Sequence, residues 1–184
     1  MKAIQRSEIL DYRTYSEHRD ELRRQAMALR DARRVHLGEY LTFLFENHDT
    51  IRYQIHEMMR AEQIVKEADI RHEIETYNEL LGGQGELGCT LLIEIDDPDR
   101  RKSLLREWLA LPRQVYVKTA SGKKCYARFD ARQIGEDRLS SVQYLKFDTD
   151  GELPVAIGCD LPQLREEVPL SEAQRQALAQ DLEG

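Results

Sequence analysis

A chain of 184 residues, a third of them charged, is long enough for one sizeable core and too short for two, so a single domain over residues 1–184 is expected. Its net charge of −7 makes nucleic acid and anionic membranes poor partners, because affinity for them comes mostly from accumulated Lys and Arg, and no uninterrupted apolar run reaches the ~18 residues of a membrane helix. The first residues lack the apolar core of a signal peptide, and the widely spaced Cys89, Cys125 and Cys159 cannot all pair within one chain, which points to a reducing cytoplasm.

Taken in chain order, Thr14-x-x-Glu17 has capping-box spacing, and Tyr15, Leu22, Ala26 and Leu29 keep helical period to about Arg34. This predicts an N-terminal helix over about 14–34. Its arginines are interleaved with Asp20, Glu21 and Asp31, as on an ordinary salt-laced surface, so a role in RNA binding has little support. Val35 to Glu46 reads as strand, with Gly38-Glu39 as a turn or bulge near its start.

The stretch Asn47–Val65 follows, read as a helix capped by Asp49. On a 100° wheel Ile51, Ile55, Met58, Met59 and Val65 share one side, and Arg52, Tyr53, His56, Glu57 and Arg60 share the other. Glu62 projects from the middle of the apolar stripe. Either the helix frays near Ala61 and Glu62 reaches water, or the carboxylate is buried against an arginine.

A second stripe, Ile70, Ile74, Tyr77 and Leu81, predicts a helix that stops at Gly82-Gly83 with a left-handed cap. Gly83-x-Gly85-x-x-Gly88 has the letters of a dinucleotide fingerprint but follows a helix and leads into a strand, Cys89–Ile95, the reverse of the required order; a flexible connection is expected instead. Asp97-Pro98 opens a helix carrying Leu104, Leu105, Trp108 and Leu109, which Pro112 ends. Gln114–Thr119 and Lys123–Phe129 form a hairpin through Ala120-Ser121-Gly122. Ser141–Phe147 and Val155–Gly158 add strands, and Ser171-x-x-Gln174 opens a short helix to about residue 182 in an acidic tail. Connections too short for parallel crossovers make the expected fold class α+β, an antiparallel or mixed sheet of about five strands with amphipathic helices packed on it.

The charge is unevenly spread: residues 13–34 hold seven Arg against four acids, and residues 148–184 hold nine acids against two Arg. The two ends can attract each other, within the chain or between subunits of a homodimer, or stand as separate solvated faces.

Sequence motifs for chemistry are few. There is no Gly-x-Ser-x-Gly elbow, no Cys-x-x-Cys and no Glu-x-x-His, so neither a metal nor a cofactor is expected. A metal site assembled from His48, His56 and Glu57 is a remote alternative. Along the hairpin, Tyr116, Lys118, Tyr126 and Arg128 share a parity opposite to Val115, Val117, Cys125 and Phe129, and Glu94 likewise opposes Leu91 and Ile93. This is either a ligand surface or the ordinary solvent face of a sheet.

Three blocks, ARRVHLGEYLTFLFENHDTIRYQIHEMMRAEQI, IETYNELLGGQGELGCTLLIEI and RLSSVQYLKFD, in this order and spacing, resemble the bacterial proteins grouped as domain of unknown function DUF3501, over about residues 30–182. The resemblance transfers no catalytic residues. It implies an accessory role in peroxide or redox defence, because such proteins tend to be encoded beside rubrerythrin-like proteins and iron–sulfur oxidoreductase subunits. The family's tail often has His-Pro where this chain has Asp160-Leu161-Pro162.

Two functional readings follow. The first is a cytoplasmic, non-catalytic binding or accessory protein presenting Arg52, Tyr53, His56, Glu57 and Arg60 to a protein partner. The second is a small enzyme or anion binder in which Arg52 and Arg60 clamp an anionic ligand and Glu57 or Glu62 serves as acid or base.

Overall fold

The computed structural model describes residues 1–183, and no helix among them is long and apolar enough to cross a membrane. The chain runs α1 (Tyr12–Asp31), β1 (Arg34–Leu37), β2 (Leu41–Glu46), α2 (His48–Ala61), α3 (Glu67–Asn78), β3 (Glu86–Ile93), α4 (Pro98–Glu107), β4 (Val115–Thr119), β5 (Lys124–Tyr126), β6 (Val142–Asp148), β7 (Pro154–Cys159), β8 (Glu166–Pro169) and α5 (Glu172–Glu183). All strand pairings within the sheets are antiparallel, and they form two four-stranded sheets, β1-β2-β3-β6 and β5-β4-β7-β8. The α+β class is as expected, but one sheet of about five strands becomes two of four. β8 carries no apolar alternation that would have announced it, and β1 and β2 divide what reads as one strand.

Alternation along the strands puts one face of each sheet into a common core. Phe43 and Phe45 of β2, Leu91 of β3 and Phe147 of β6 meet Val115 and Val117 of β4 and Ile157 of β7, with Trp108 and Leu178 joining from after α4 and from α5. The sheets are tied along one side by a bridge in which Arg128 and Lys146 exchange both backbone hydrogen bonds at 2.8 Å. Next to this bridge the exposed edge of β6 is covered by a side chain: the Gln133 amide accepts from Tyr144 N–H at 2.7 Å and donates to Tyr144 C=O at 3.1 Å, standing in for a neighbouring strand.

The helices build a second apolar cluster. Ile51, Ile55 and Met59 of α2 pack with Ile70 and Ile74 of α3, and the N-terminal arm adds Ile4 and Ile9. The side chain of Asn78 brackets Ile4, accepting its N–H at 2.8 Å and donating to its carbonyl at 3.1 Å.

Helix ends differ from the expected ones for local reasons. α1 starts earlier because Asp11, not Thr14, is the cap; its carboxylate accepts from the N–H groups of Arg13 and Thr14. α2 is capped by Asn47, two residues before Asp49. It ends in a Schellman arrangement, with Gln63 at φ 52, Ile64 N–H donating to Met59 C=O and Gln63 N–H to Arg60 C=O. With Gln where glycine is usual, this stop is hard to read in the sequence. It leaves Glu62 and Val65 exposed, so Glu62 reaches water, through an ordered helix stop rather than by fraying, and Val65 is not part of the apolar stripe.

α3 ends at Asn78, before Gly82-Gly83, and neither glycine is left-handed. The glycine-rich segment is instead a close approach of backbones: a Cβ on Gly88, within β3, would lie 2.0 Å from the Leu80 carbonyl oxygen.

The two oppositely charged regions meet within the chain at one buried point. Arg33, just before β1, makes a two-pronged pair with Asp181 of α5 at 2.7 and 2.8 Å, each side chain 5% exposed, and donates its remaining arm to Leu29 C=O. Asn47 Nδ2 donates to the same Asp181 at 3.2 Å, which ties the cap of α2 to the C-terminal helix.

Candidate functional site

The polar side of α2 is covered by α1. Tyr15 stacks on the His56 ring, with centroids 4.7 Å apart and planes 7° from parallel, and its hydroxyl donates to Glu57 Oε1 at 2.6 Å. Arg19 grips both Glu57 oxygens at 2.7 and 2.8 Å. These bonds, Arg19's first, hold Glu57 below the usual carboxylate range, while burial, reinforced by Glu57, pushes the Tyr15 hydroxyl up. Arg30 lies 5.4 Å from the Tyr53 ring centroid, so Tyr53 is buried under a cation.

His56 accepts the Leu10 N–H on Nε2 at 3.0 Å, and burial, with Arg52 nearby, lowers its pKa to about 4. It is therefore neutral at ordinary pH, and that nitrogen is occupied. Arg52 pairs with Asp49 at 2.9 Å, and Arg60 is exposed near the end of the helix.

What stays open is a cleft of about 330 Å³ between α1, the first half of α2 and the N-terminal arm, lined by Glu8, Gln25, Asp49, Arg52, Tyr53 and His56 together with the apolar Leu10, Leu22 and Leu29. Three of the residues expected on this helix, Arg52, Tyr53 and His56, thus converge on one cleft. Glu57 is turned into the contact with α1, and Arg60 and Glu62 lie outside. The cleft carries Glu8 and Asp49 against Arg52, so its polar groups have both signs. His48 lies against Glu8 and Asp49, at 3.1 and 3.6 Å, rather than with His56 and Glu57, and among the described residues no three His, Cys, Asp or Glu side chains are placed to hold a metal ion.

The second predicted surface divides into parts. Tyr116 and Tyr126 are cross-strand partners on β4 and β5, in edge-to-face contact at 5.5 Å, and Lys118 opposes Lys124. Carboxylates from the last third of the chain neutralise them. Glu167 accepts from Tyr116 and Lys118, both at 2.9 Å, and Asp160 accepts from Tyr126 at 2.6 Å and from Lys124 at 2.9 and 3.0 Å. Both acids are held below their ordinary range by these donors, Lys118 first for Glu167 and Tyr126 first for Asp160. Tyr116 packs its ring end against its cross-strand partner Gly158, where a Cβ would come within 2.5 Å of it.

Glu94 belongs to the other sheet, where Thr42 donates to it, and Arg128 reaches Glu86 beside β6. Parity along the strands identified Tyr116, Lys118 and Tyr126 as neighbours. It could not show that Glu94 and Arg128 belong elsewhere, because that depends on the division into two sheets. No motif marks Tyr15, Arg19, Lys124, Asp160 or Glu167 as part of a polar cluster; the expected attraction between the basic N-terminal and acidic C-terminal regions is the nearest signal, and it applies to Arg33 and Asp181.

Two internal features limit the chemistry. Cys89, Cys125 and Cys159 are buried and unpaired, and burial raises all three thiols, most strongly Cys89. Glu46 is 2% exposed and has no ion pair among the described residues; the hydroxyls of Thr50 and Thr90 donate to its two oxygens, and the start of α2 lies beside it.

These features define a class: a single α+β fold of two antiparallel sheets and a helical layer whose polar clusters are closed by internal ion pairs. The chain belongs to the family described as Protein of unknown function (DUF3501), which matches residues 3–182. It is similar to a crystal structure described as a novel protein of unknown function from Burkholderia pseudomallei K96243, with 27% sequence identity, a TM-score of 0.90, and coverage of 98% of this chain and 100% of that one. No curated protein matches it.

Proposed function

We propose that the protein is a non-catalytic binding or accessory protein that uses the cleft between α1, α2 and the N-terminal arm. The supporting observation is that the groups best suited to chemistry there are already engaged: Glu57 is saturated by Arg19 and Tyr15, and His56 is neutral with Nε2 bonded to Leu10. The remaining lining, Gln25, Glu8 and the partly exposed Arg52–Asp49 pair, presents polar groups of both signs to a partner. The rival, an anion clamp of Arg52 and Arg60 with Glu57 or Glu62 as acid or base, has less support, because Arg52 is paired with Asp49 and neither Arg60 nor Glu62 lines the cleft.

The accessory role in redox defence that the family resemblance implies fits docking to a redox partner, since the chain's own thiols are buried. A cytoplasmic location and a homodimer belong to the same reading. Native mass spectrometry of protein purified from its own cells tests it. A bound species should accompany the wild type and be lost from Arg52→Ala, with Arg60→Ala as control and melting temperature nearly unchanged in both. A large fall in melting temperature with the bound species retained would make Arg52 structural.

A further inference from the structure

Away from the α1/α2 cleft, a second cleft of about 400 Å³ opens on the side of the first sheet where the chain after β5 is bridged to β6. Its apolar lining includes Leu80 after α3, Phe129 after β5, and Leu145 and Tyr144 of β6, Tyr144 being 43% exposed. Tyr144 and Lys146, two apart on one strand, project to the same face. The volume lies within the range of small-molecule sites, and the mixture of an apolar wall with a few polar groups is their usual composition.

The charges here are mostly spoken for. Arg132 binds Asp130 and holds it down to about 2, and lies within electrostatic reach of Glu79; Arg128 is held by Glu86. Lys146 differs. Lys118 and Lys124 on the other sheet each have a carboxylate at 2.9 Å, whereas Lys146 is half-buried in the cleft and makes no ion pair among the described residues. Glu79 also lines the cleft, exposed and without an ion pair among the described residues; Lys146, half-buried beside exposed aromatic surface, still calls for one negative charge on an apolar body.

We propose that this cleft is a binding site for a small aromatic monocarboxylate, whose ring packs against Tyr144, Phe129 and Leu80 and whose carboxylate meets Lys146. The ring supplies apolar burial and stacking, and the carboxylate supplies a charge-assisted hydrogen bond, stronger than a neutral one. The site shares no lining residue with the α1/α2 cleft, so either can fail without the other.

The test is calorimetric titration of the full chain with 2-naphthoate and with its neutral counterpart 2-naphthalenemethanol. Saturable binding of naphthoate is expected, about tenfold tighter than the alcohol. Lys146→Met should remove that preference while leaving the alcohol's affinity unchanged, Lys146→Arg should retain it, and Tyr144→Ala should weaken both ligands. Absence of saturable naphthoate binding at millimolar concentration overturns the proposal. So does a preference for naphthoate that survives in Lys146→Met. Arg52→Ala, in the other cleft, should leave both titrations unchanged.

Discussion

The junction of α1 with its surroundings and the outer face of β4 and β5 are built from the same three groups, a tyrosine hydroxyl, a cation and a carboxylate, at similar distances. They differ in how much water they see. Arg19 and Glu57 are about a quarter exposed and Lys118 and Glu167 about a third, while the Arg33–Asp181 pair just after α1, a cation and a carboxylate without a tyrosine, is 5% exposed on each side. Coulomb attraction between exposed charges is weakened by water and salt, so surface pairs contribute little. A buried pair is different in kind: its formation offsets a desolvation cost already incurred, and removing one partner leaves the other charge stranded. An ion pair therefore works as a fastening between elements where it is buried, as at Arg33 and Asp181, and as a neutralised surface where water reaches it, as at Lys118 and Glu167.

Breaking the most buried pair should have the largest effect. Asp181→Ala strands the Arg33 guanidinium and removes the acceptor of Asn47, and is expected to cost about 3–5 kcal/mol in urea unfolding. Adding Arg33→Met should recover part of that loss, and a fully additive double variant would show that the two side chains do not act as a pair.

The α1/α2 junction should next reveal itself through pH. Unfolded His56 titrates near 6.5 and folded His56 near 4, so between these values the unfolded chain binds the proton first and stability falls as pH falls. The loss amounts to roughly 3 kcal/mol at most once pH is below 4. Tyr15, Arg52, Glu57 and the Leu10 N–H surround the ring. Glu57, with its folded pKa lowered, contributes stability that is present above its ordinary 4.5 and lost as pH drops through the folded value, so the two effects follow one another on acidification. His56→Gln should flatten the stability profile between pH 6.5 and 4 while leaving the Glu57 portion below it; an unchanged slope would mean another group titrates there.

The smallest effect belongs to the outer sheet face. Lys118→Ala should change stability by no more than about 1 kcal/mol, with added salt reducing even that. A loss comparable to that of Asp181→Ala would erase the distinction between the two regions.

Much of this architecture was legible in the sequence, and the gaps have physical causes. Periodicity located the core faces of α2, α3 and the strands, because burial imposes a period of 3.6 or 2 whatever the partner is. The polar side of α2 was recognised as a coherent set of residues, but periodicity cannot tell a face turned to solvent from one covered by a neighbour that is itself polar. Tyr15 and Arg19 lie on a helix read as a salt-laced surface, and they cover His56 and Glu57. Likewise β8, with Glu166 and Glu167, has an edge strand's composition and left no alternating signal. The helix stop at Gln63 was hidden because a non-glycine residue takes the left-handed position.

The amide of Gln133 has a consequence for how the molecules behave together in solution. By occupying the outward N–H and C=O of Tyr144, it removes a template on which a second chain could add a strand. Such protection barely registers in the unfolding of a dilute sample. It governs crowding tolerance instead, so that a change at this one side chain would be felt as concentration-dependent association, with light scattering rising while the fold of each molecule stays intact.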